Sequence, residues 1–478
     1  MTARLRPLRD WLAGGVIGAA VLAWFGHAFL NYDTFYALVW GSQFAHGITP
    51  DYRVPVAPTP HPLAEALGIP LSLFGDSAEA LALALVLLGF GFLLVAIYKL
   101  GKGLYGWPVG LLGAAIAGTR VPLLNFGIRG YVDLPAIAFI LWGAVLEMRR
   151  PRRGESVLVL LALAGLLRPE AWLFSFAYLL WAAPPRDTRG RVRLVAIALA
   201  GPVLWMVSDA LVTGDALWSL HGTHELAAQL GRKTGLGNVP PIMPRRLGEI
   251  VRLPELVAAV AGFVLGLWFM RRRTLLPAAI AVLNGITFLV LAIAGLSLLG
   301  RYLFLAGAVL SLFAALGALG WLALPAHHPW RPRWRALGAL LLLAFAIFFP
   351  LEQVGRLTSL RTDIAHRQRV LADLQTLIQS PPSKAALRSC GTLFVPNHQP
   401  VPQLAYWTGR RPGAIALAGL TPPTPRGAYV GPTTLTVAKR SVLDPRDPGK
   451  PPYAAAHGPP GYRQLARNRS WILWTGHC

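Results

Sequence analysis

The chain's 478 residues are 54% hydrophobic and only 14% charged, with a mean hydropathy of +0.50, a balance that argues against a water-soluble enzyme. A formal net charge of +24 would suggest a nucleic-acid surface on a soluble domain. Here Lys and Arg sit in short clusters between apolar runs, so the excess reads as membrane topology and no nucleic-acid partner is expected. Runs near the roughly 20 residues that cross a bilayer recur along the chain and predict an all-α polytopic membrane protein.

The first run, "WLAGGVIGAAVLAWFGHAFL", follows "MTARLRPLRD". It is long for a signal-peptide core and lacks a small-residue cleavage site, so it is read as a retained first helix. Basic clusters at Arg4 to Arg9, Lys99 to Lys102, Arg149 to Arg153, Arg186 to Arg193, Arg271 to Arg273 and Arg331 to Arg335 place those connections, and the N-terminus, in the cytoplasm. The expected spans are 11–31, 79–99, 107–124, 131–148, 156–168, 170–184, 192–212, 254–270, 275–298, 302–323 and 336–352, about eleven transmembrane helices. The segment "SVLVLLALAGLLRPEAWLFSFAYLLW" reads either as one helix kinked at Pro169 or as two short ones. The alternation of basic clusters favours a hairpin turning at Arg168-Pro169-Glu170, a pair of charges that would simply close the turn.

Between the first two spans lies an external loop with its own pattern. "TFYALVWGSQFAHG" has amphipathic spacing and would be capped by Asp33 or Thr34, and "HPLAEALGIPLSLFG" reads as a second surface helix after the Pro-rich "TPDYRVPVAPTPHP". A carboxylate at the edge of the hydrocarbon is costly unless solvated, paired or used, which marks Asp33.

The same count puts residues 353–478 outside the membrane. This tail should begin with a long helix, "TSLRTDIAHRQRVLADLQTLIQS", and continue with strand-like "GTLFVP", "GAYVGPTTLTVA" and "SWILWTG", a small extracytoplasmic α/β domain behind a transmembrane module of residues 1–352. The only two cysteines, Cys390 and Cys478, both fall in it and would pair in an oxidising compartment.

An Asp directly after the first span, a Tyr-Ala helix ending in Gly-x-x-x-Pro, and a Pro-rich run into "HPLAEALGIPLSLFG" together resemble the first external loop of the C-type glycosyltransferases. That superfamily includes mannosyl-, aminoarabinose- and arabinofuranosyl-transferases that use polyprenyl-phosphate sugars. Further pieces follow in the expected order: "GIRGYVDLPAIAFILWGAVL", with Arg129, Asp133 and Pro135; "LAGLLRPEAWLF"; and "LGRYLFLAGAVLSLFAAL". The chain departs from the family in having Thr34 where a second acid often stands, and the tail resembles no named domain. The resemblance implies an integral-membrane inverting transferase moving a sugar to an extracytoplasmic glycan, glycolipid or protein.

Such a transfer needs a base for the acceptor hydroxyl and cations for the phosphate. Asp33 is the candidate base, with a carboxyl expected to be raised at the membrane boundary; its competing role is a helix N-cap. Asp133 is implied by the resemblance as a second active-site acid, again with an N-cap as the alternative. Arg129, Arg301, Arg232 and Lys233 are candidates for the lipid phosphate, with Arg120 a further external arginine. Tyr36 and His61 belong to the family-like loop and are substrate-binding candidates. The loop "VTGDALWSLHGTHELAAQLGRKTGLGNVP" would cover the headgroup, with Trp218 stacking on a sugar and His221 and His224 near it; otherwise it docks the tail. His221, His224, Glu225 and Asp33 leave a divalent metal open without fixing four ligands, so no metal site is assigned and no cofactor is required. A transporter or lipid flippase, or a noncatalytic membrane scaffold, is the competing class; the absence of internal repeats and the gathering of unusual residues at one boundary favour the transferase.

Overall fold

The computed structural model describes residues 5–184, 186–443 and 455–478. Arg4 of the first basic cluster and residues 444–454 of the tail lie outside them. The first half of the chain runs α1 (Leu5–Phe25), α2 (Tyr32–Ala45), α3 (Pro62–Ser72), α4 (Ala78–Tyr105), α5 (Trp107–Gly118), α6 (Val121–Ile128), α7 (Asp133–Arg149), α8 (Glu155–Leu167), α9 (Trp172–Ala182) and α10 (Thr188–Thr213). It continues through α11 (Trp218–Gln229), α12 (Val239–Val251), α13 (Leu253–Phe269), α14 (Arg271–Ile293), α15 (Phe304–Leu319), α16 (Arg331–Phe348), α17 (Val354–Gln379) and α18 (Pro381–Ser389).

Among the described residues six helices are long and apolar enough to cross a membrane, or eight if two bent pairs each count as one span. The protein is a multi-pass membrane protein, but length does not support all eleven expected crossings. α8 has 13 residues and α9 has 11; at 1.5 Å per residue α8 rises only about 20 Å, short of the roughly 30 Å hydrocarbon core. The run 107–124 is broken, α5 and α6 meeting at 66°. Arg120 sits at that break, 2% exposed and paired to Glu255 at 2.8 Å.

The basic clusters meet at one end of the bundle. Lys99 pairs with Asp10 and Arg193 with Glu155, Arg273 donates to the Leu104 carbonyl, and Arg186 donates to the Arg152 carbonyl. The α8–α9 turn, the α6–α7 turn and the start of α2 lie at the other end, so the hairpin at Arg168 joins helices whose outer termini are basic.

α2 differs from the expected surface helix in two ways. Its N-cap is Asn31, not Asp33 or Thr34: the Asn31 side chain accepts from the Asp33 N–H at 2.7 Å and the Thr34 N–H at 3.2 Å. It is also buried continuously from Thr34 to Gly41, because the tail lies over it, with Phe35 against the rings of Tyr406 and Trp407 at 5.8 and 6.0 Å. Burying each such aromatic contributes on the order of 2 kcal/mol. α3 packs beneath through two glycines: a Cβ on Gly41 would lie 2.6 Å from the Gly68 backbone.

The tail carries β1 (Leu393–Val395), α19 (Val401–Thr408), β2 (Ile415–Leu417), β3 (Ala428–Pro432), β4 (Arg463–Arg467) and β5 (Trp471–Thr475). The sheet order is β2-β1-β3-β5-β4, parallel around β1 and antiparallel around β5. α17 packs on it: Trp471 Nε1 donates to the Val370 carbonyl at 2.8 Å, and Asn468 to the Asp373 carbonyl at 2.6 Å. A disulfide joins Cys390, after α18, to Cys478, after β5. Residue 352 falls inside a π-helical turn, Phe349–Gln353, through which α16 runs into α17. The tail and the first external loop share one core that includes Phe35, Trp40, Leu374, Leu393 and Leu473.

Candidate functional site

The site begins where Gly130 lets two chain segments touch. Its φ of +63° favours glycine, and a Cβ there would strike Leu30 at 2.7 Å. The close approach allows Asn31 N–H to bond the Arg129 carbonyl at 2.7 Å and Thr34 Oγ1 the Gly130 carbonyl at 2.7 Å. The first turn of α2 is thereby fixed against the α6–α7 turn, and Asp33 is aimed inward. Arg301, in the short 3₁₀ turn before α15, donates from Nη1 to Asp33 Oδ2 at 2.9 Å.

Burial alone would raise the Asp33 carboxyl, but the Arg301 guanidinium, with His61 and Arg168, outweighs it and holds the carboxyl below its ordinary 3.8. The expected upward shift is therefore reversed, because the boundary carboxylate is paired. The capping alternative also falls away: Asn31 caps α2, and Asp133 follows Val132 as the first residue of α7 with no side-chain cap.

Pro169 forces the preceding residue into extended backbone, ending α8 and turning Arg168 into the site. Its guanidinium bonds Glu170 at 2.7 Å and lies 3.6 Å from Asp133. Tyr302 stands between the two arginines, its ring 5.1 Å from Arg168 and 5.7 Å from Arg301. One oxygen each of Asp133 and Glu170 is buried with no hydrogen-bond partner among the described residues. Arg168 and Glu170 thus do more than close a hairpin. The signal was available: an arginine inside an apolar double run, on the same side as Asp33, is expensive unless used.

His61, 3% exposed, ends the Pro-rich stretch as the residue before α3. Glu65 accepts the His61 backbone N–H at 3.0 Å and the Tyr52 hydroxyl on its other oxygen. Burial, with Arg168 nearby, pushes the His61 imidazole down to about 4, so it is neutral at pH 7, and its Nδ1 has no hydrogen-bond partner among the described residues. Burial likewise raises the Glu65 carboxyl to about 7.

Several of these groups line a cavity of about 1190 Å³, above the usual range for a single small ligand. Asp33, His61, Arg129, Arg168, Arg232 and Arg301 face it, as do Trp205 and Tyr302. One wing is apolar, formed by Phe176, Met206, Leu220, Val290 and Leu291 from α9, α10, α11 and α14. The tail closes another side with His398, Lys439 and Arg440.

Other sequence candidates lie elsewhere. Tyr36 is fully buried against Trp40, and Asp133 stands behind Arg168 outside the lining. Lys233 is also outside it, its carbonyl accepting from Leu298. Trp218 lines a separate cavity of about 330 Å³, with Arg53 5.2 Å above its ring. His221 is exposed and bonded to Asp215 at 2.7 Å; His224 is exposed beside Gly295. Among the described residues no three His, Cys, Asp or Glu side chains gather to hold a metal, so the grouping of His221, His224, Glu225 and Asp33 is not formed.

No protein-family model matches the chain, and no curated protein matches it by sequence. Solved structures do match. ArnT from Cupriavidus metallidurans bound to undecaprenyl phosphate superposes with TM-score 0.55 at 13% identity, covering 98% of each chain. The same protein in the apo state gives 0.53 at 14% identity over 98% of each chain. The archaeal oligosaccharyltransferase AglB from Archaeoglobus fulgidus, in complex with an inhibitory peptide and a dolichol-phosphate, gives 0.47 at 11% identity over 84% of this chain and 64% of that one. The chain shares the fold of ArnT over nearly its whole length. The 98% coverage of ArnT leaves almost none of this chain, tail included, outside the shared fold.

Proposed function

We propose that the protein is an integral-membrane inverting glycosyltransferase that takes a sugar from a polyprenyl-phosphate donor and transfers it to an extracytoplasmic acceptor. The observation that carries this is the Asp33–Arg301 pair in the lining of a cavity with an apolar wing and an arginine-rich wall. The ArnT fold, solved with undecaprenyl phosphate, supports the choice of donor.

In this scheme the polyprenyl chain lies along Phe176, Met206 and Val290, and Arg301, with Arg232, holds the phosphate; Arg129 faces the same cavity beside Arg367 of the tail. Lys233, outside the lining, would contribute only a distant charge. An acceptor hydroxyl oxygen attacks the anomeric carbon on the face opposite the phosphate. The carbon–oxygen bond to phosphate breaks, polyprenyl phosphate leaves, and the hydroxyl proton passes to Asp33. A carboxylate with a low pKa suffices, because the hydroxyl becomes strongly acidic only as its bond to carbon forms. Asp133 acts through Arg168, fixing the wall opposite Asp33 as a positioning residue. His61, neutral and with an open ring nitrogen, hydrogen-bonds the sugar.

Residues 1–352 form the transmembrane module and residues 353–478 the extracytoplasmic domain that covers it. The specific sugar, whether mannosyl, arabinosyl or another, is set by the cavity wall. The test is reconstitution with radiolabelled polyprenyl-phosphate sugars and cell-envelope acceptors. Transfer with inversion, lost with Asp33→Asn, is expected; donor binding on the face carrying the basic clusters would overturn the scheme.

A further inference from the structure

The cavity has a second basic pole that the donor phosphate does not account for. Arg301 is balanced by Asp33, Arg168 by Glu170 and Asp133, Arg246 by Glu249, and Arg440 by Asp363. Arg129, Arg367 and Lys439 line the same cavity and have no ion-pair partner among the described residues.

These cations come from three separate parts of the fold. Arg129 ends α6, Arg367 lies on α17, and Lys439 and Arg440 sit on the turn after β3. Arg129 lies over two aromatic faces, Phe29 at 5.8 Å and Tyr131 at 5.3 Å, and its Nε is buried with no hydrogen-bond partner among the described residues. Arg367 is within electrostatic reach of Arg129 and Arg440, and the one carboxylate acting on it, Asp363, is already bonded to Arg440, so cations outnumber anions at this pole. Converging like charges oppose the docked tail unless an anion completes them, and an unsatisfied buried guanidinium nitrogen is costly for the same reason.

The apolar wing, which would hold the donor's lipid, is built from α9, α10, α11 and α14 and contains none of these residues. The second pole belongs instead to α17 and the tail. A cavity of about 1190 Å³ has space for a second group beside a phosphosugar.

We infer that Arg367 and Lys439, with Arg129 at their base, form an acceptor subsite for an anionic group, a phosphate or carboxylate carried by the acceptor close to the hydroxyl that receives the sugar. The acceptor class is then an acidic glycan or phosphoglycan and not a neutral one. This rests on the transferase reading for the word acceptor, while the anion site itself can be tested apart from it.

The experiment uses the full-length protein in nanodiscs with undecaprenyl phosphate, glucose 6-phosphate and glucose as probes, read by thermal shift. With undecaprenyl phosphate saturating, glucose 6-phosphate should still raise the melting temperature and glucose should not. The Arg367→Gln/Lys439→Gln variant should lose affinity for glucose 6-phosphate by about tenfold or more, and keep that for undecaprenyl phosphate within about twofold. Competition between the two phosphates, or equal binding of both by parent and variant, overturns the second subsite. Binding of glucose 6-phosphate through Arg367 and Lys439 with no binding of undecaprenyl phosphate would leave the anion site standing and remove the proposed donor.

Discussion

Arg301 Nη1 donates a hydrogen bond to Asp33 Oδ2 at 2.9 Å, joining the start of α2 to the turn before α15 across 268 positions of sequence. In the proposed scheme this contact would tie the carboxylate's readiness as a base to the cation that holds the donor phosphate. When a phosphate draws Arg301 away, burial acts on Asp33 with less opposition and its proton affinity rises.

The pH profile should show this coupling. In the parent protein Asp33 is held below 3.8, so protonation of Asp33 contributes no acid limb to kcat/KM above about pH 4.5. In Arg301→Gln the guanidinium is gone, the burial effect is uncovered, and a limb should appear at higher pH. Identical profiles for parent and variant, measured over pH 4.5 to 8, would show that the pair does not set the ionisation of Asp33.

Glu65 gives a second pH effect, on stability. Its carboxyl is raised from 4.5 to about 7 in the folded protein. Between these values the folded state binds more protons than the unfolded state, so unfolding free energy falls as pH rises through that window. The full loss is about 3 kcal/mol. Glu65→Gln mimics the protonated form, keeps an acceptor oxygen for the His61 N–H, and should flatten the dependence of melting temperature between pH 4.5 and 7. A slope unchanged by the substitution would place the titration elsewhere.

What could be read from the chain, and what could not, follows from the range of each interaction. Apolar runs and basic clusters are local, so the helical membrane architecture and the turn at Arg168 were legible. The resemblance to C-type glycosyltransferases rested on motif order and agrees with the fold. The sign of the Asp33 shift was not legible, because Arg301 reaches it from the far end of the chain. α2 was misread as a surface helix because its polar residues are covered by the tail, and the cap was misplaced because Asn31 precedes the expected pattern. Trp218, His221 and His224 were read as a cover over the site; α11 does reach the cavity, through Ser219, Leu220, Thr223 and Leu226, while those three are not among its lining residues.

The disulfide closes a segment separated by 88 residues, which should contribute about 5 kcal/mol in the chain-entropy account. Cys390→Ser with Cys478→Ser is expected to lower the melting temperature of the tail and leave the transmembrane helices intact. Circular dichroism of the strand and helix signals, with non-reducing mass mapping of the parent, measures it. Two free thiols in the parent, or an unchanged transition in the variant, would remove the bridge from the account.

The basic clusters gather at the end opposite the site, and the positive-inside rule applied to them predicts an extracytoplasmic tail. A reporter active only in the cytoplasm, fused after Cys478, should be silent, and a periplasm-active reporter at the same place should work. A working cytoplasmic reporter would mean that the short α8–α9 hairpin is miscounted and the cavity opens inward.

The catalytic assignment is decided at Asp33. Since Asn31 provides the cap, Asp33→Asn leaves the start of α2 intact, keeps the side-chain volume, and removes only the charge. Arg301 then loses its counter-ion, and a modest drop in melting temperature is expected, limited because both side chains retain 17–19% exposure. Transfer should fall by about two to four orders of magnitude, the range for losing a general base. Donor binding should persist or tighten, because a carboxylate that repels phosphate is gone and Arg301 is released toward it. Arg301→Gln should do the reverse, weakening undecaprenyl-phosphate binding while leaving a carboxylate in place. This opposition separates a catalytic pair from a structural one, in which both substitutions would lower stability and leave donor affinity alone. A folded Asp33→Asn protein that transfers sugar at the parental rate would leave the pair as a structural clamp between α2 and α15.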